Sequence, residues 1–191
     1  MMSALKLVAA IGVSAVLAGC ASAKAAAPAA PAAPAAPTST TTTTTTAEPP
    51  SASASMVCGP EIAKDVAAIL AASPAPTTTS TWTDHLFTCT YHLPSGTLVL
   101  SVKESPDTPS ANTYFTTLRQ QLGTTSQLTG TLGLGNPGYQ TADGTVVILK
   151  DAKTLRVDAT ALPAASGPNK LTRADVAYEV ATDVIGCWNG D

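Results

Sequence analysis

The sequence predicts an α+β domain, an antiparallel sheet of about five strands with three packed helices in the order α-β-β-α-β-β-β-α. Three observations predict it. Apolar stripes with helical spacing occur in three separated segments. Between them, strand-like segments come in runs joined by tight turns, the pattern of hairpins and meanders rather than of parallel crossover units. Both signals begin only near Met56, so the domain spans residues 56–191 and the segments ahead of it have another task.

The first helix is announced by Gly59-Pro60-Glu61: a proline at the first helical position gives up no hydrogen bond, and Glu61 suits the positive end of the helix dipole. Ile62, Val66, Ile69 and Leu70 follow on one face. A Pro/Thr loop is expected over 73–81, then strands over 84–92 and 97–103 joined by Pro94-Ser95-Gly96. Phe87, Cys89 and Tyr91 share one face of the first strand, as do Leu98, Leu100 and Val102 on the second.

The second helix is expected after Pro109 with Ser110 as its cap, carries Ala111, Tyr114, Phe115, Leu118 and Leu122 on one side, and stops at Gly123. A three-stranded meander follows over 139–142, 145–150 and 154–160, with turns at Asp143-Gly144 and 151–153. The third helix opens at a capping-box-like Thr172-Arg173-Ala174-Asp175 and buries Val176, Val180, Val184 and Cys187, with Trp188 alongside.

Ahead of the domain, residues 1–19 read as a signal peptide. The apolar run from Leu7 to Leu17 is about 11 residues, whereas a membrane-crossing helix needs roughly 20. It ends at Leu17-Ala18-Gly19-Cys20, which resembles the lipobox of bacterial lipoproteins. That resemblance implies cleavage before Cys20, acylation of its thiol, and a stable membrane anchor once two or more chains are attached. Residues 20–55 form the lipidated cysteine and a linker of Ala-Ala-Pro units and a threonine run, Thr40 to Thr46. With no large apolar side chain to bury, the linker is expected to be disordered and biased toward polyproline II. Its 35 residues after Cys20 could reach on the order of 100 Å. The composition fits a bare spacer and an O-glycosylated stalk equally.

Formal net charge is −3, and the domain is slightly more acidic once Lys6, Lys24 and Glu48 are set aside. Nothing in that balance suits a phosphate backbone, so no nucleic-acid partner is expected.

The segments Cys58-Gly59-Pro60-Glu61, Thr88-Cys89-Thr90-Tyr91, Gly133-Leu134-Gly135, Asp143-Gly144-Thr145-Val146-Val147 and Gly186-Cys187-Trp188, with the lipobox and the Thr/Pro spacer, resemble the small cell-envelope lipoproteins of actinobacteria, including mycobacteria. The resemblance implies an extracytoplasmic address and an architecture, and no established activity. In that group a cysteine before the first helix often bridges to one on an early strand, a pattern matched here by Cys58 and Cys89.

With Cys20 acylated, Cys58, Cys89 and Cys187 remain, and an oxidising compartment favours one disulfide and one thiol left over. Chain entropy does not choose among the three pairings. Layout favours Cys58 with Cys89, because Cys58 begins the helix that must cover the face Cys89 points from. Cys187 then reads as a small buried hydrophobe, against a reactive or intermolecular thiol.

No metal or cofactor is expected. The cysteines and histidines lack zinc-ligand spacing, and His85 and His92, read on one strand, fall on opposite faces. Gly133 to Gly138 satisfies G-x-G-x-x-G, but a proline and then strands follow where a phosphate-binding helix is required. Trp82 and Trp188 could stack on a sugar or peptide, but read more simply as core or core-edge residues. No catalytic residues can be selected. The expectation is a lipid-anchored extracytoplasmic binding or interaction module with a cell-wall, protein or apolar small-molecule ligand. The alternatives are an envelope hydrolase, which a cleft holding a histidine, a carboxylate and an exposed serine would favour, and a structural envelope component.

Overall fold

The computed structural model describes residues 48–129 and 134–188. The expected signal peptide, Cys20 and the linker as far as residue 47 lie outside the described residues. The elements are α1 (Ala52–Ser55), a 3-10 turn (Met56–Cys58), α2 (Pro60–Leu70), β1 (Thr77–Thr83), β2 (Leu86–Leu93), β3 (Gly96–Glu104), α3 (Thr108–Leu122), β4 (Ser126–Leu128), β5 (Gly138–Gln140), β6 (Thr145–Lys150), β7 (Lys153–Asp158) and α4 (Arg173–Cys187). The strands form one antiparallel sheet in the order β1-β2-β3-β7-β6-β5-β4. The α+β class and the antiparallel sheet are as expected. The counts are not: among the described residues there are seven strands and four helices rather than five and three.

The extra elements have identifiable causes. Strand β1 occupies most of the expected 73–81 loop, because TTTSTWT is polar on both faces and shows no apolar alternation, although threonine favours extended backbone. Its partner starts at Leu86, not at Asp84, because Asp84 and His85 take left-handed φ values of 52° and 56° and make a two-residue turn. Strand β4 is only three residues long. Helix α1 falls within the expected linker, where the Ser51 side chain caps it by accepting from the Ala54 N–H.

The three long helices begin as their chemistry demands. Helix α2 has Gly59 as its N-cap and Pro60 in its first turn. Helix α4 has the reciprocal Thr172/Asp175 capping box. Helix α3 is capped by Asp107, not Ser110: the Asp107 carboxylate accepts the Ser110 N–H at 2.7 Å. A residue before proline resists helical backbone, yet Thr108 opens the helix because the Asp107 cap offsets that resistance.

Helices α2 and α4 cover one face of the sheet. Ile62 and Val66 from α2, with Val176, Val180 and Val184 from α4, pack on Cys89, Tyr91, Leu98, Leu100, Ile148, Leu155 and their neighbours. On the other face α3 lies over β6 and β7, where Leu118 packs with Tyr139 and Val147 and the Tyr139 hydroxyl donates to the Phe115 carbonyl at 3.1 Å. Among the described residues no helix covers the β1–β3 half of that face, and none is long and apolar enough to cross a membrane.

Candidate functional site

Two neighbouring features of the β1–β3 end stand out. The first is the uncovered half-face. Residues opposite one another in an antiparallel pair point to the same side, so the registers place Thr79, Thr90, Val99 and Asp158 in one row and Thr81, Thr88, Ser101 and Arg156 in the next. Thr77, Thr79, Thr81 and Thr83 are exposed, and Thr88, Thr90 and Ser101 are half-buried. Exposed His92 shares this face and its Nε2 lies 3.0 Å from Thr79 Oγ1. The border charges are engaged locally. Arg156 pairs with Asp158, and Lys103 Nζ donates to the Asp84 carbonyl while lying 5.9 Å from the Tyr114 ring centroid. The result is a hydroxyl-lined surface with α3 as a wall on one side.

The second feature is a cleft of about 350 Å³ at the β1–β2 turn, lined by Glu48, His85, Glu104, Ser105 and Pro106. The left-handed turn projects His85 to the surface, and its carbonyl accepts the Glu104 N–H at 2.8 Å. Glu104 Oε1 accepts the Ser51 N–H at 3.0 Å, and the Trp82 indole N–H donates to the Glu48 carbonyl at 2.8 Å. The His85 ring meets Trp82 edge-on at 5.7 Å. A histidine, two carboxylates and a serine thus share one rim, but among the described residues no side-chain hydrogen bond joins the His85 imidazole to the Glu104 carboxylate or the Ser105 hydroxyl. A nucleophile activated by a base needs that link in the reacting state.

Two further clefts lie on other parts of the surface. One, of about 270 Å³, sits between the α2 terminus and the β2–β3 turn and is lined by Leu70, Ser73, Leu93, Pro94 and Pro163 among others. The other, of about 410 Å³, flanks the start of α2 at Met56 and Pro60.

The residues singled out from sequence are distributed as follows. Cys20 lies outside the described residues. Cys58 and Cys89 form a disulfide with Cα atoms 5.5 Å apart, stapling the turn before α2 to the helix-facing side of β2. Cys187, expected to be buried, is only half-buried at the last position of α4 and takes no part in that bridge. His85 and His92 do not sit on opposite faces of one strand, because His85 belongs to the turn. Trp188 is 2% exposed, too buried to stack on a ligand, and its carbonyl accepts Lys150 Nζ at 2.6 Å. Half-buried Trp82 lies beside the cleft. Of the formal glycine motif, Gly133 is outside the described residues and Gly138 opens β5, a strand. Among the described residues no group of three or more His, Cys, Asp or Glu is placed to hold a metal ion. The threonine face was not anticipated, since it depends on recognising β1; the seven-residue threonine-rich stretch was its one sequence signal.

No family model matches the chain, and neither a curated protein nor a solved structure matches it.

Proposed function

We propose that the chain is a lipid-anchored, extracytoplasmic cell-envelope protein of the actinobacterial lipoprotein kind, and that its domain is a non-catalytic binding module working through the bare half-face of its sheet. The observation that carries this reading is that half-face itself: α3 covers β6 and β7, while β1–β3 present threonine and serine hydroxyls outward. Hydroxyls in register offer alternating donors and acceptors over a broad area, which suits a polar, extended partner such as a wall polymer better than a compact apolar ligand. The lipobox-like segment and the Thr/Pro spacer supply the anchor and the reach.

The test uses full-length chain and a purified insoluble wall fraction. Thr81→Lys and Thr88→Lys, made separately because the two residues face each other across β1 and β2, should each abolish co-sedimentation while the circular-dichroism melt stays unchanged. Equal retention of wild type and variants would remove the half-face as the binding surface.

One observation favours a second reading, an envelope hydrolase: His85, Glu48, Glu104 and Ser105 line one cleft. In that case His85→Ala and Ser105→Ala would each remove turnover of a chromogenic ester or of wall lipid that the wild-type chain hydrolyses.

A further inference from the structure

We propose that two copies of this chain join edge to edge through β1, pairing antiparallel about a two-fold axis at Ser80 so that the two sheets become one. The inference concerns the edge of the sheet, not its face, and does not depend on what the face binds.

The parity of the first hairpin sets the geometry. A two-residue turn with both residues left-handed makes the flanking Thr83 and Leu86 a hydrogen-bonded pair. Bonded and non-bonded pairs alternate along an antiparallel ladder, so Thr81, Thr79 and Thr77 also direct their backbone groups to β2. Thr78, Ser80 and Trp82 then turn theirs outward. Strand β1 is the end of the sheet, and among the described residues no strand pairs with that side.

Sheet edges are normally blunted by charge, proline, a bulge or short length. At the other end of this sheet, β4 is three residues long. Strand β1 is seven residues long, carries no charged residue or proline, and pairs one-to-one with β2 without a bulge. Such an edge calls for a strand, and the sequence of β1 suits its own copy. Around Ser80, TTT-S-TWT is nearly palindromic: Thr79 meets Thr81, Thr78 meets Trp82, and Ser80 meets Ser80.

In that register every outward-facing residue meets an outward-facing residue, giving about six backbone hydrogen bonds. No like charges are brought together, half-buried Trp82 gains a cover, and the threonine rows of the two copies become continuous. Beyond the strand, Pro76 falls opposite Asp84 of the second copy and ends the ladder, because proline has no N–H to offer.

The test uses the full-length chain purified in detergent. Light scattering over a concentration series should show a dimer. The double variant Thr79→Cys/Thr81→Cys should form an intermolecular disulfide on mild oxidation, since those two positions form a close non-bonded pair across the axis; Thr81→Cys alone should not. Ser80→Lys, at an exposed position, puts two like charges opposite each other and should weaken the dimer by about tenfold or more without changing the fold. Ser80→Pro removes only an outward N–H and should also yield monomer. Three results would each overturn the inference: a monomer at every concentration, a dimer indifferent to both Ser80 substitutions, or an oxidised double variant that forms no intermolecular bridge or bridges only to a different protein.

Discussion

The buried hydroxyl of Tyr91 donates to the carbonyl of Val57 at 2.6 Å, two residues along β2 from the cysteine that is bridged to Cys58. The turn ahead of α2 is therefore held to β2 twice, once covalently and once by a hydrogen bond in the dry core. Burial, with Asp65 adding a smaller repulsion, pushes the Tyr91 phenol well above its ordinary range. Tyr91→Phe leaves the Val57 carbonyl without its partner and should cost about 1–2 kcal/mol, read from chemical denaturation. The same group sets an alkaline limit. Its neutral form is favoured in the fold, so its contribution is complete below the unfolded value of 10.0 and is lost as pH rises above it. Tyr139, likewise raised by burial, acts in the same direction. Stability should fall above about pH 10, and the fall should be shallower in Tyr91→Phe.

Removal of the disulfide should be costly. The bridge spans 31 residues of sequence, and closing a loop of that size in the unfolded chain corresponds to about 3–4 kcal/mol. A Cys58→Ala/Cys89→Ala variant should show that loss in its unfolding midpoint, and non-reducing peptide mapping of wild type should recover the Cys58–Cys89 pair.

Thr154 offers the opposite sign. It is 1% exposed and its Oγ1 has no hydrogen-bond partner. Thr154→Val keeps the shape and the strand preference while removing a buried polar atom, so it should leave stability unchanged or raise it by up to about 1 kcal/mol. A loss of the same size in a thermal melt would show that the hydroxyl is bonded in solution.

Cys20→Ser should move the chain from the detergent phase to the aqueous phase in cells that acylate the wild type. Intact mass should show diacylglyceryl addition on the wild type only. Unchanged partitioning would remove the anchor.

What the sequence disclosed follows from where burial leaves a trace. Helix α4 and the β2–β3 hairpin have apolar side chains on one face, and their periods read directly, while β6 reads as a short apolar run because both of its faces are buried. The pairing of Cys58 with Cys89 was accessible because it followed from which helix covers which strand. Strand β1 left no such trace, since neither of its faces enters the core fully. Its register is imposed by the Asp84-His85 turn, and those residue types tolerate left-handed backbone without announcing it as Asn-Gly would. The candidate surfaces were hidden for the same reason. Both the hydroxyl face and the His85 cleft are products of that strand and its turn, and Glu48 and Glu104 meet there from positions far apart in the chain.

The attachment at Trp82 and Glu48 also determines how the domain would respond to tension. A pull on the chain ahead of Glu48 first loads two hydrogen bonds, Trp82 to Glu48 and Ser51 to Glu104, which can give way singly and re-form. Buried Ala54 and Val57, with the Tyr91–Val57 hydrogen bond, resist next, and the covalent stop is Cys58, welded to the middle of β2. Peeling from that end should stop there, so the first residues of the domain act as a short extensible cushion and the sheet behind them is shielded from the strain.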